Sequence, residues 1–202
     1  MRIEVLSTDA STGEPLTLEE VKTHLRLEIG DAEEDEYLDD LITVARQRVE
    51  YLTGRQLMPE SHYYYLDDWD IDGGDYIYIP DAPLRDIPSS GVYYTDNNGD
   101  STTFTSTAWA VDTVSEPGRL VLNFNDSWPS DVLDDNNPIR IQYVCGYSTR
   151  SKIPKAIKQA MRIMVSDMYE NRESYVMGQT VSDKLDTIRA LLSPYRIWKW
   201  QV

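Results

Sequence analysis

The sequence predicts an α+β protein, a helical bundle built from the N- and C-terminal segments with an antiparallel β domain inserted between them. Three observations predict it. Tyr37 to Thr53 places Leu38, Leu41, Ile42, Ala45, Val49 and Leu52 at three- and four-residue spacing. Ile157, Ala160, Met161, Met164, Val165 and Met168 make a second such stripe late in the chain. Between them, from Ser61 to Cys145, the apolar period falls to two. The two helical stripes are expected to pack on each other. The boundaries read as 1–58 and 148–193 for the two parts of a helical platform, 59–147 for the β domain, and 194–202 for a tail.

Residues 1 to 15 read as an irregular or strand-like arm, with Ile3 and Val5 alternating against polar neighbours before Gly13 and Pro15. A helix start follows. Thr17 can cap, Glu20 can return the bond, and Leu16 with Val21 can form a hydrophobic staple, for a helix ending near Leu27. The acidic run Asp31 to Glu36 reads as a capped, solvated entry to the Tyr37 helix, and Gly54 suits a left-handed helix end.

Six short β-branched or aromatic runs make the β domain: Tyr63 to Leu66, Tyr76 to Ile79, Val92 to Tyr94, Trp109 to Val111, Leu120 to Leu122 and Ile139 to Tyr143. Asn97-Asn98-Gly99-Asp100 suits a hairpin, and Pro117-Gly118 a type II turn. Ile139, Ile141, Tyr143 and Cys145 fall on one face, so Cys145 is expected in the core. Pro154 opens the next helix, which runs to about Arg172, and Ser174 to Thr180 reads as a mobile loop. A last helix from about Ser182 is expected to bury Leu185, Ile188 and Leu192 and to stop at Ser193-Pro194.

The formal charge is −16 and unevenly spread: residues 1–150 hold 30 acidic and 10 basic side chains, or −20, and 151–202 hold 5 and 9, or +4. Such a chain lacks the basic footprint needed to grip DNA, and its charge suits a surface that DNA slides past. No apolar run spans a bilayer, and Met1-Arg2-Ile3-Glu4 lacks the order of a secretion signal, so a soluble intracellular protein is expected. The single cysteine excludes an intrachain disulfide, and neither His24 nor His62 has an evident Ser, Cys or acid companion. No enzyme and no cofactor are expected.

Asp68-Trp69-Asp70-Ile71-Asp72-Gly73 copies the opening of an EF-hand loop, making Asp68, Asp70 and Asp72 weak calcium candidates. Its twelfth position is Ile79 where a bidentate Glu is needed, so a solvated acidic loop is expected instead. Beyond Pro194, Tyr195, Arg196, Ile197, Trp198 and Trp200 alternate aromatics with cations, and a docking anchor is one reading. Burying both tryptophans would contribute on the order of 8 to 12 kcal/mol before ordering costs. The other reading folds them back onto their own helices.

Six segments together resemble the head-to-tail connector (adaptor) proteins of tailed phages, in the longer branch whose helical bundle is interrupted by a β domain. They are Leu16 to Lys22 with His24-Leu25-Arg26, Tyr51 to Arg55, Ile141 to Tyr143 with Gly146-Tyr147, Ile153-Pro154 with Ile157 to Ala160, Tyr169 to Glu173, and Leu191 to Arg196. The resemblance implies a dodecameric ring beneath the portal protein, a lumen through which DNA passes unbound, and a face for a stopper or tail-completion protein. It implies no membrane, and a place in the virion neck after assembly in the host cytoplasm. On it, Tyr195, Arg196, Ile197, Trp198 and Trp200 are expected to dock on the portal. Two alternatives remain: a neck stopper or tail-completion protein, and a β-rich module, with or without calcium, binding a carbohydrate or cell-surface ligand through Tyr63, Tyr64, Tyr76 and Trp69.

Overall fold

The computed structural model describes residues 2–8, 13–69, 74–172 and 181–197. It divides into two compact units: a β unit of residues 1–11 and 59–148, and a helical unit of residues 12–58 and 149–202. Residues 2–8, which the sequence reading placed in the helical platform, pair with the sheet instead.

The helical unit begins with α1 (Leu18–Leu25), whose Thr17 and Glu20 form the expected capping box, with both bonds at 3.0 Å. Arg26, in a left-handed conformation, ends it. α2 (Asp35–Thr53) follows, and its entry differs from expectation. Glu34 at the N-cap makes no side-chain capping bond. The acidic run is organised from within by the buried Lys22, whose amine donates to the carbonyls of Ile29 and Asp31 and pairs with Asp35. A buried ammonium satisfied by carbonyls and a carboxylate avoids the cost of an unpaired charge.

α2 buries Leu38, Leu41, Ile42, Ala45 and Val49 and ends at Gly54, whose φ of 67° is the left-handed cap a glycine adopts without strain. α3 (Lys155–Glu170) is entered through Pro154 and packs against α2. It buries Ile157, Ala160, Met161 and Val165, while Met164 is only partly buried. Arg162 reaches Glu20 on α1 at 3.3 Å, and Arg172 lies between the rings of Tyr37 and Tyr169 while pairing with Glu34. α4 (Val181–Leu192) buries Ile188 and Leu192, but Leu185 is 45% exposed, against expectation. Positions 185, 188 and 192 form one stripe, and only its C-terminal part meets the bundle. The expected mobile loop, Ser174 to Thr180, lies outside the described residues.

The β unit is two antiparallel sheets enclosing one core. Its strands are β1 (Arg2–Thr8), β2 (Glu60–Leu66), β3 (Tyr76–Tyr78), β4 (Leu84–Asp86), β5 (Val92–Thr95), β6 (Ser101–Thr103), β7 (Trp109–Asp112), β8 (Arg119–Leu122) and β9 (Ile139–Cys145). The larger sheet runs β1-β2-β9-β5-β6, with β4 also on β9; the smaller runs β3-β8-β7. β2 and β9 alternate buried and half-buried side chains along their whole length. Their inward residues, including Tyr64, Ile139, Ile141, Tyr143 and Cys145, join Trp69, Ile77, Leu120 and Trp109 in the core.

The Asn97-Asn98-Gly99 hairpin forms between β5 and β6, with the Asp96 carboxylate accepting from the Asn98 and Asp100 amides. Pro117-Gly118 makes no type II turn, because Gly118 lacks the positive φ that turn requires. Gly118 is needed for space instead, since a Cβ there would run into the Leu84 side chain.

Candidate functional site

Residues 195–197, the described part of the tail, are held by the C-terminal corner of α2. Thr53 Oγ1 donates to the Val49 carbonyl at 2.7 Å and accepts from the Arg55 amide at 3.3 Å, which fixes the Thr53-Gly54-Arg55 turn. The buried Arg55 then donates from Nε to the Tyr195 carbonyl at 2.6 Å, and the Ile197 amide donates to the Thr53 carbonyl at 2.7 Å. Of the expected docking residues, Tyr195 and Ile197 are therefore half-buried and tied to their own chain, and Arg196 is exposed. Trp198 and Trp200 lie outside the described residues. The corner that holds Tyr195 and Ile197 is built from residues more than a hundred positions upstream, and the sequence reading did not find it.

A second surface comes from the outward side of α2. Val44, Arg48 and Tyr51 follow at helical spacing, Tyr51 is 79% exposed, and the Arg48 guanidinium lies 5.7 Å from its ring centroid. An exposed apolar and cationic stripe opposite a buried one marks a helix with two faces to satisfy.

The β unit holds a polar cluster that sequence spacing hid. His62 Nε2 lies 3.1 Å from Glu60 Oε2, and its Nδ1 lies 3.2 Å from Asp81 Oδ2, 3.3 Å from the Tyr143 hydroxyl and 3.7 Å from Cys145 Sγ. Glu60 comes from the same strand, two positions away, and the other companions are supplied by β9 and the β3–β4 connection. Burial opposes charge on His62, but the bonds to Asp81, Cys145 and Glu60 outweigh it and push its pKa up to about 11. Burial pushes the Cys145 thiol and the Tyr143 hydroxyl up as well. A thiol kept protonated beside an imidazole that already holds its proton makes no nucleophile and base pair. The cluster is an internal ionic tie across β2 and β9.

The Asp68 loop and the aromatic module fare differently. Asp68 Oδ1 accepts from the Trp69 amide at 2.6 Å, while Asp70 and Asp72 lie outside the described residues. Among the described residues no three His, Cys, Asp or Glu side chains are arranged to hold a metal. The carbohydrate reading is corrected at two of its four residues: Tyr64 and Trp69 are 5% and 4% exposed, consumed by the core that the two sheets share.

Comparison with known proteins adds to this geometry. Residues 15–88, from the turn before α1 to just beyond β4, match the family of phage gp6-like head-tail connector proteins. Over those residues the chain is similar to head-tail connector proteins. The comparison with curated proteins finds no match. Among solved structures, a chain in the neck of an empty gene transfer agent particle, computed with C6 symmetry, matches with a TM-score of 0.78 and 20% identity. A chain in the virion of the native particle gives 0.77 and 18%, and one in the native neck, computed with C12 symmetry, gives 0.75 and 19%. Each match covers 100% of this chain and 98% of the other. At that identity they speak for the fold, including the β unit that the family match only enters.

Proposed function

We propose that this chain is a head-to-tail connector, a structural ring component of the neck of a phage-like particle, seated under the portal protein, extending the DNA channel and linking it to the tail. The observation that carries the reading is a fold matched end to end by chains of particle necks, on a segment of the connector family. Twelve copies in the ring agree with a neck of C12 symmetry.

The charge supports passage of DNA without adhesion, with one refinement. Sorted by unit, the β unit carries 18 acidic and 4 basic side chains, or −14, and no lysine, whereas the helical unit carries 17 and 15, or −2. Repulsion of a polyanion therefore resides in the β unit. The near-neutral helical unit is the part suited to hold protein neighbours, through the outer stripe of α2 and through Trp198 and Trp200.

The deciding experiment is binding of the purified chain to portal rings. Because Tyr195 and Ile197 are bonded into the α2 corner, the clean variants are removal of residues 198–202 and the double substitution Trp198→Ala with Trp200→Ala. Both are expected to melt like the parent and to lose portal binding. Undiminished binding by either variant overturns the portal-docking role.

A further inference from the structure

The outer face of the larger sheet carries a stripe of tyrosines interrupted by one arginine. Beginning at the edge, the Tyr65 hydroxyl donates to Glu4 at 2.8 Å, and the Tyr65 ring meets Tyr63 edge-on with centroids 6.0 Å apart. The Arg140 guanidinium then lies 4.8 Å from the centroids of both Tyr63 and Tyr93. The register explains the sandwich, since Arg140 on β9 stands opposite Tyr65 on β2 and Tyr93 on β5.

What is unusual is what Arg140 lacks. It sits in a unit with 18 carboxylates and only 4 arginines, yet among the described residues it has no ion pair, and its buried Nε has no hydrogen-bond partner. Arg119, in the same unit, spends its guanidinium on Asp112 with bonds of 3.0 and 2.6 Å. Arg140 is only partly buried, so part of its side chain remains open. Two rings already hold the side chain, so a carboxylate meeting it orders little that is not ordered already. Tyrosine and arginine are also the residue types that concentrate binding energy at interfaces.

We propose that Arg140, framed by Tyr63 and Tyr93, seats a carboxylate side chain from the β unit of a second copy of this chain. This rests on the ring assembly proposed above. Charge complementarity selects the occupant. Neighbouring β units of −14 each repel, so a contact between them must set a cation against the surplus carboxylates, and each copy brings both partners. Different patches on the two copies then meet, which is the head-to-tail geometry that closes a ring.

The test uses assembled particles. With Arg140→Lys, the introduced amine is the only lysine in residues 1–11 and 59–148. A zero-length carbodiimide joins it to whatever carboxylate it touches. Necks assembled from a mixture of light and heavy-isotope chains are expected to yield a mixed-label peptide linking position 140 to an Asp or Glu of the β unit. A link within one copy, a link to another neck protein, or no link overturns the proposal. In a second arm, Arg140→Gln is expected to melt like the parent and to enter necks about tenfold less well in direct competition. Equal incorporation overturns the proposal too. Necks holding no ring of this chain would sink the connector reading itself, whereas rings with position 140 unlinked would sink only this inference.

Discussion

At the scale of single residues, the buried cluster around His62 makes the β unit sensitive to alkali. A histidine whose pKa stands near 11 in the fold, against about 6.5 in an unfolded chain, contributes stability that is complete below pH 6.5 and lost as pH rises toward 11. Cys145 and Tyr143, also raised, act in the same direction above their ordinary ranges. The melting temperature of the parent should therefore fall steadily from pH 6.5 to 10. His62→Gln removes the cation shared by Glu60 and Asp81, at a cost of about 3 kcal/mol near pH 7, and should flatten that slope. A parent protein equally stable at pH 7 and pH 9.5 would contradict the charged assignment. Only the Glu60–His62 pair, two positions apart on one strand face, lay within reach of the sequence; the rest did not, because His62 and Cys145 stand 83 positions apart and a two-residue period says which face a side chain takes, not what it faces.

Among the elements, those with a local signal were the legible ones. The α1 capping box lies within four residues, and the stripes of α2 and α3 repeat over many turns, so periodicity alone placed Leu38, Ile42, Val49, Ile157 and Met161 inside. β1 was read only as an irregular or strand-like arm, and its place in the sheet escaped, because a strand is stabilised by its partner and the partner of Arg2–Thr8 is β2, some 60 residues on. α4 was read half correctly. Its stripe was visible, but how much of the stripe the bundle would cover was a tertiary matter, and Leu185 stayed largely in solvent while Ile188 went in. The difference is measurable by chemical denaturation: Leu185→Ala should change stability by less than about 0.5 kcal/mol, and Ile188→Ala should cost about 2 to 4 kcal/mol. Similar costs for the two would mean that α4 packs differently from the arrangement described.

For the whole molecule, the two units divide the labour that the chain's overall charge had blurred. Averaged over residues 1–150 the acidity looked like a property of the chain, but a unit assembled from residues 1–11 and 59–148 and carrying −14 is a distinct object from a helical unit at −2. Within the helical unit, hydrogen bonds link segments far apart in the chain: Glu14 with Thr43 and Arg46, Arg150 with the Glu14 carbonyl, and Arg55 and Thr53 with Tyr195 and Ile197. Its stability should therefore survive removal of the sheet. A chain of residues 12–58 joined through a flexible glycine and serine linker to residues 149–202 is expected to give a helical circular dichroism spectrum, a single cooperative melt, and undiminished binding to portal rings. It should also lose the anomalously fast migration toward the anode that a −14 unit confers at neutral pH. If the joined chain melts without cooperativity, the sheet supplies part of the helical core. If it folds but no longer binds the portal, docking extends beyond the α2 corner and the tryptophans that follow it.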